Sequence, residues 1–228
     1  MTEADVGFTD NNPNFEEQKF RKYELQNIIR GIGEKTKGDI IQATARYLRG
    51  SKEAGRAAKG NEYSKEQETK DLIAFIDKNN LWYKKTVSTD DKIGEGAEQK
   101  VYFYPEKQKV VKLNDSIFFA SWLDYINNLS IHNYFFPGTF YTLLGFLIVN
   151  DTLYSVVEQP YVKSTEGVKI NEVKDFLKAN GFENTRRNDY YNPHLGIILE
   201  DLHDENVISS RNQLFFVDTV FYLTDKFY

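Results

Sequence analysis

The chain has 228 residues, with 34 Asp or Glu against 29 Lys or Arg and a net charge of -5. A composition of 40% hydrophobic and 28% charged residues supports a buried core, which excludes a wholly disordered chain, a collagen repeat or a coiled coil. The absence of cysteine excludes a disulfide framework, a thiolate zinc site and a cysteine nucleophile, and is compatible with a reducing compartment.

Residues 1–14 are polar and include Asn11-Asn12-Pro13-Asn14, so they read as a mobile tail rather than a secretory signal. From Phe15 to Arg49 the spacing is helical, with Leu25, Ile28 and Ile29 on one face and, beyond Gly31 and Gly33, Ile40, Thr44, Tyr47 and Leu48 on another. Gly50 is expected to stop this second helix, and residues 51–62, rich in Ser, Gly, Ala and Lys, to form a linker or flexible loop. A third helix follows, with Ser64 and Gln67 spaced as a capping box and Leu72, Phe75 and Ile76 on the buried side. Between residues 19 and 60, eleven Lys or Arg face four acidic residues, a surplus of seven, so the rest of the chain carries -12. Such a basic front suits contact with nucleic acid or an acidic partner, but with no aromatic stacking pattern or recognition motif beside it the charge reads first as a solvated helical face.

Beyond Lys84 the pattern changes to strand. Gln99–Tyr104 and Gln108–Leu113 form one hairpin, and an aromatic, helical stretch runs from Ser116 to Phe135. A second hairpin joins Tyr141–Val149 to Thr152–Val157 across Asn150-Asp151. Its first arm holds the longest apolar stretch, Leu143 to Val149, far short of the roughly 20 residues a membrane span needs, so the expectation is a cytoplasmic protein with no membrane contact. A short helix at Asn171–Asn180 closes on Gly181, and short strands lie near Leu195–Leu199 and Leu214–Val217. Strands with helices between and beside them predict an α+β fold.

Four local patterns carry chemistry. Gly94 and Gly96 precede the first hairpin, where glycine lets backbone amides approach phosphate oxygens and where a plain turn also uses it. Lys112 ends the apolar run Val110-Val111-Lys112 on the same strand face as Val110; an ammonium there needs an anionic partner or must snorkel to the edge. In Glu200-Asp201-Leu202-His203-Asp204-Glu205-Asn206, Asp201 can accept a proton and Asn206 can offer an oxygen to a hard cation, although an acidic surface turn has the same composition. Asp218 ends the apolar strand Leu214-Phe215-Phe216-Val217, as metal ligands and turn caps both do.

In this order the four patterns resemble the protein-kinase signature, and Glu158-Gln159-Pro160-Tyr161 resembles its hinge. More closely, the Gly-Glu-Gly loop ahead of Val-Val-Lys, the run Ile131 to Pro137 and Tyr190-Tyr191-Asn192-Pro193 resemble the kinase-like domain of polyvalent proteins of phages and conjugative elements, over roughly Leu81 to Val220. The resemblance implies a minimal two-lobed fold, with a helical extension over residues 1–80, an N-lobe over 81–160 and a reduced C-lobe over 161–228. It implies an ATP- and magnesium-dependent phosphotransferase acting on a protein or small-molecule acceptor. Gly94 and Gly96 would then cover the phosphates, Lys112 would pair with them, Glu158 and Gln159 would hold adenine, Asp201 would act as base, and Asn206 and Asp218 would hold the metal. The competing expectation is a non-catalytic interaction module of a mobile genetic element, contacting nucleic acid or a host protein through the basic N-terminal helices.

The departures are specific. Gln99 stands where the third glycine of the loop is expected, and Leu199-Glu200 replaces His-Arg before Asp201. No glutamate follows Lys112 before Glu158, which makes Asp115 or Asp124 the expected carboxylate partner of the lysine. Pro160 has no N–H, so Gln159 or Val162 must supply the donor to adenine. Ten residues follow Asp218, so a protein acceptor is expected to dock without the usual activation segment and peptide-binding helices.

Overall fold

A computed structural model of the chain describes residues 13–32, 40–59, 63–85, 92–96 and 99–228. Three helices come first: α1 (Pro13–Arg30), α2 (Ile40–Lys59) and α3 (Lys65–Asn79). The proposed tail at residues 1–12 lies outside the described residues, whereas Pro13 and Asn14 already belong to α1. Helix α3 starts as its spacing predicts, with Ser64 Oγ accepting from the Gln67 amide at 3.2 Å. Only half of the capping box closes, because the Gln67 side chain donates to Asp71 at 3.0 Å instead of returning to the cap.

The expected break at Gly50 and the expected linker, over its described residues 51–59, are not what the chain does; residues 60–62 of that linker lie outside the described residues. Helix α2 continues through Gly50 and Gly55 to Lys59. A glycine inside a helix costs about 1 kcal/mol, which the burial of Ile41, Ala45 and Leu48 on the same helix outweighs. Gly55 also has a packing role, since the Tyr63 ring occupies the space where its Cβ would be. Composition suggested a loop; packing made a helix.

A five-stranded antiparallel sheet follows, in the order β1-β2-β3-β5-β4, built from β1 (Lys92–Glu95), β2 (Gln99–Tyr104), β3 (Lys109–Asn114), β4 (Thr142–Val149) and β5 (Thr152–Pro160). Helix α4 (Trp122–Phe135) lies between β3 and β4 in sequence, capped by Ser121, so the helical stretch begins six residues later than Ser116. The rest comprises α5 (Ile170–Ala179) and the strands β6 (Glu183–Arg186), β7 (Asp189–Asn192), β8 (Ile197–Glu200), β9 (Val207–Ser210), β10 (Gln213–Phe216) and β11 (Val220–Leu223). Strands β11-β8-β7-β6 form a second sheet, and β9-β10 a ribbon.

Two cores meet at α4. One joins Ile41, Ala45 and Leu48 of α2, Leu72 and Ile76 of α3, and Trp122, Ile126 and Leu129 of α4 to the inner face of the five-stranded sheet at Leu143, Phe146 and Val157. The other joins Leu25 and Ile29 of α1 and Ile131 of α4 to Leu177, Ile197, Leu199, Phe216 and Phe221. The N-terminal helices are therefore packed into both cores rather than appended to them. Glu68 of α3 is 1% exposed and accepts from the amides of Trp122 at 2.6 Å and Leu123 at 3.2 Å, capping α4 from a neighbouring helix. Among the described residues, no helix is long and apolar enough to cross a membrane.

Candidate functional site

The register of the five-stranded sheet sets Lys112 of β3 opposite Val101 of β2 and Val157 of β5. Val110, two residues earlier, shares its face, as a strand period of two requires. Both line a solvent-open cleft of about 570 Å3 between this sheet and the segments 205–208 and 217–218. Its walls are largely apolar, with Ile93, Val101 and Val110 on one side and Ile208 and Val217 on the other.

Within the cleft, charge and hydrogen bonding converge. Lys112 is only 4% exposed; its Nζ donates to the Val217 carbonyl at 2.7 Å and lies 3.6 Å from Asp218 Oδ2. Tyr141 Oη donates to the same carbonyl at 2.9 Å and lies 3.4 Å from the lysine nitrogen. The carboxylate partner of Lys112 is thus Asp218, and the expectation of Asp115 or Asp124 is corrected. Asp115 accepts from the Ile117 amide at 3.0 Å, and Asp124 accepts from Ser121 Oγ at 2.7 Å beside the start of α4. Both are tied up in local caps.

Asn206 lines the same cleft as Lys112 and Asp218. Its Nδ2 donates to the Asp201 carbonyl at 2.8 Å and its backbone carbonyl accepts from the Val217 amide at 3.0 Å, which ties the loop to the segment carrying Asp218. Asp201 stands apart: it does not line the cleft, its side chain is 65% exposed, and its backbone adopts φ 58°. Asp189 Oδ1 accepts from its amide at 3.3 Å, and His203 Nε2 lies 3.7 Å from its carboxylate. Burial, with the neighbouring charges of Asp189 and Asp201, raises the Glu200 carboxyl above the usual carboxylate range.

Gly94 lies in β1 opposite Val101, and Gly96 donates its amide to the Gln99 carbonyl at 2.8 Å, closing the β1–β2 turn. The cleft is lined by their neighbours Ile93 and Gln99. Gln99 Nε2 donates to Asp218 Oδ2 at 2.6 Å, so the residue replacing the third glycine reaches across to the aspartate. Glu158 is outside the lining and pairs with Lys109 at 3.2 Å. Gln159 lines the cleft, but its side chain is buried and donates to the Thr139 carbonyl at 2.7 Å. Among the described residues, no group of three His, Asp or Glu side chains is arranged to hold a metal by itself.

Sequence reasoning missed a buried polar group beside this cleft. His132 of α4 is fully buried; its Nε2 lies 2.9 Å from the Thr139 carbonyl and its Nδ1 lies 2.7 Å from Thr219 Oγ1. Burial pushes its imidazole down to about 3, against the bond to Thr139, which acts the other way. Its place in the run Ile131 to Pro137 was visible, but its partner is 87 residues away.

A helix between the third and fourth strands of an antiparallel five-stranded sheet, with a strand lysine facing an aspartate across an interlobe cleft, defines a small kinase-like α+β protein. The chain belongs to the Serine/Threonine/Tyrosine Kinase family found in polyvalent proteins, whose family model matches residues 65–225, and this match takes in α3 as well as the kinase motifs. No curated protein matches the chain.

Proposed function

We propose that the chain is a nucleotide-dependent phosphotransferase that uses ATP with magnesium and acts on a protein or small-molecule acceptor. The observation that carries this reading is the convergence of Lys112, Asn206 and Asp218, from β3 and two separate loops, on one apolar-walled cleft. Apolar walls of Val101, Val110 and Ile208 suit a purine ring. Of the possible hinge donors, Gln159 lies within the β3–β5 ladder opposite Val110, Pro160 has no N–H and Tyr161 donates its amide to the Gln108 carbonyl at 2.9 Å, which leaves Val162, a cleft residue without a backbone partner among the described residues.

The donor set fits magnesium, which keeps most of its water and phosphate ligands and asks only one or two oxygens of the protein. Asn206 Nδ2 is spent on the Asp201 carbonyl, so its Oδ1 is the atom left to meet a cation. Asp218 Oδ2 is shared by Gln99 and Lys112, and its Oδ1 is the corresponding free oxygen. When bound, the ion would neutralise the charge on the phosphates being separated. Lys112 would orient the same phosphates, held in place by the Val217 carbonyl and Tyr141. Asp201, outside the cleft lining with its carboxylate in solvent and its carbonyl bonded to Asn206, would accept the proton of an acceptor hydroxyl. Titrating ATP into the protein by calorimetry, with and without magnesium and with Asp218→Ala as control, tests this; no binding by the intact protein at millimolar nucleotide would end it.

A second reading is a binding module that meets nucleic acid or another acidic partner through α1 and α2. The exposure of Lys19, Arg30, Arg46 and Arg56 favours it. DNA binding by the whole chain that falls steeply with salt would support it, because released counterions set that slope.

A further inference from the structure

We propose that His132 is a positioning residue for Asp218, acting through Thr219 as a neutral hydrogen-bond acceptor. The tautomer follows from its partners. A carbonyl oxygen can only accept, so Nε2, 2.9 Å from the Thr139 carbonyl, carries the proton. Nδ1 is then an acceptor, and Thr219 Oγ1 at 2.7 Å donates its hydroxyl proton to it. Thr219 is 2% exposed and follows Asp218 directly, so fixing its hydroxyl fixes the backbone that aims the carboxylate.

The rest of the segment is held in the same manner. The Phe216 carbonyl accepts from Thr139 Oγ1 at 2.5 Å, the Val217 carbonyl accepts from Lys112 and Tyr141, and the Phe221 amide donates to Asn128 Oδ1 at 2.8 Å. Asn128 and His132 are one helical turn apart on α4, so this helix grips the chain on the C-terminal side of Asp218 at two points. Gln159 Nε2 also donates to the Thr139 carbonyl, which links the end of β5 to the same group.

The chemistry explains a neutral ring at this place. A carboxylate on α4 would compete with Asp218 for Lys112, and a cation would be repelled by that lysine. An uncharged imidazole does neither, and burial keeps it uncharged. The coupling between α4 and the cleft is thus a hydrogen-bond relay, His132 to Thr219 to the Asp218 backbone, in place of an ion pair.

Thr219→Val removes the hydroxyl at nearly constant volume, and Thr219→Ser keeps it. Amide hydrogen exchange on the nucleotide-free, full-length protein should show residues 216–219 opening about tenfold faster in Thr219→Val, with Thr219→Ser close to wild type and the β3 and β5 amides unchanged. Equal exchange in all three proteins, or loosening spread evenly over the molecule, overturns the assignment. A second readout rests on the phosphotransferase reading: magnesium-dependent ATP affinity should fall about tenfold in Thr219→Val and return in Thr219→Ser, while binding in EDTA stays the same. If the wild type binds no nucleotide, that reading fails and the exchange data still decide the role of His132. If it binds and Thr219→Val matches it with magnesium, the positioning role is wrong.

Discussion

Lys112 Nζ and Asp218 Oδ2 lie 3.6 Å apart, and the same ammonium group donates to the carbonyl of the residue before that aspartate. The lysine holds both the charge and the backbone of its partner. Where protein kinases pair the strand lysine with a helix glutamate, Asp218 holds Lys112 directly here.

Lys112→Met should keep the fold while abolishing magnesium-dependent nucleotide binding. Methionine retains most of the buried stem, and the lost bond to the Val217 carbonyl costs about 1–3 kcal/mol. Calorimetry and thermal unfolding separate the two effects. Wild-type nucleotide affinity in this variant would remove the lysine from the site.

Glu68 tests whether α3 is part of the domain. Glu68→Ala leaves two buried amides at the start of α4 without an acceptor, a loss of about 2–4 kcal/mol in denaturant unfolding. Glu68→Gln keeps one acceptor oxygen and should lose less. Burial raises the Glu68 carboxyl, with the two amide bonds opposing, so the folded state disfavours its charged form. Its contribution to stability is therefore whole below the unfolded value and is lost as pH rises through the folded value, the reverse of an ordinary salt-bridged carboxylate.

His132 has the opposite signature. Its folded pKa of about 3 lies below the 6.5 of the unfolded ring, so between these values the unfolded chain binds one proton more. Stability supplied by the neutral ring is whole above pH 6.5 and falls by up to about 1.4 kcal/mol per pH unit below it. Urea unfolding from pH 7 to pH 4 should show this slope in the wild type and lose it in His132→Asn. An unchanged slope would mean that the ring titrates normally.

Gly50 and Gly145 should respond in opposite directions to alanine. Gly50 lies inside α2 with nothing near its missing Cβ, so Gly50→Ala should stabilise by about 1 kcal/mol. Gly145 has φ 143° at a bulge in β4, where a Cβ would collide with the Leu81 carbonyl oxygen. Gly145→Ala should cost several kcal/mol, about 2–4, or displace residues 81–83 from the edge of the sheet. Thermal unfolding of both variants checks the pair.

The sequence by itself determined the α+β pattern, the two hairpins, the cap of α3 and, among the residues that line the cleft, Lys112, Gln159, Asn206 and Asp218. Lys112 and Asp218 were legible because each ends an apolar run, where a charge must face a partner or a cavity; Asn206 was legible through its spacing from Asp201. Tertiary structure decided what depends on distant groups. Gly50 and Ser51 read as a break until Ile41, Ala45 and Leu48 found a core that holds the helix together. Asp115 and Asp124 were near Lys112 in sequence, yet short-range caps used them before the lysine could. For His132 the sequence showed its place in the run Ile131 to Pro137 but not its role, because a buried imidazole takes its protonation and its role from Thr139 and Thr219, and only folding brings those oxygens to it.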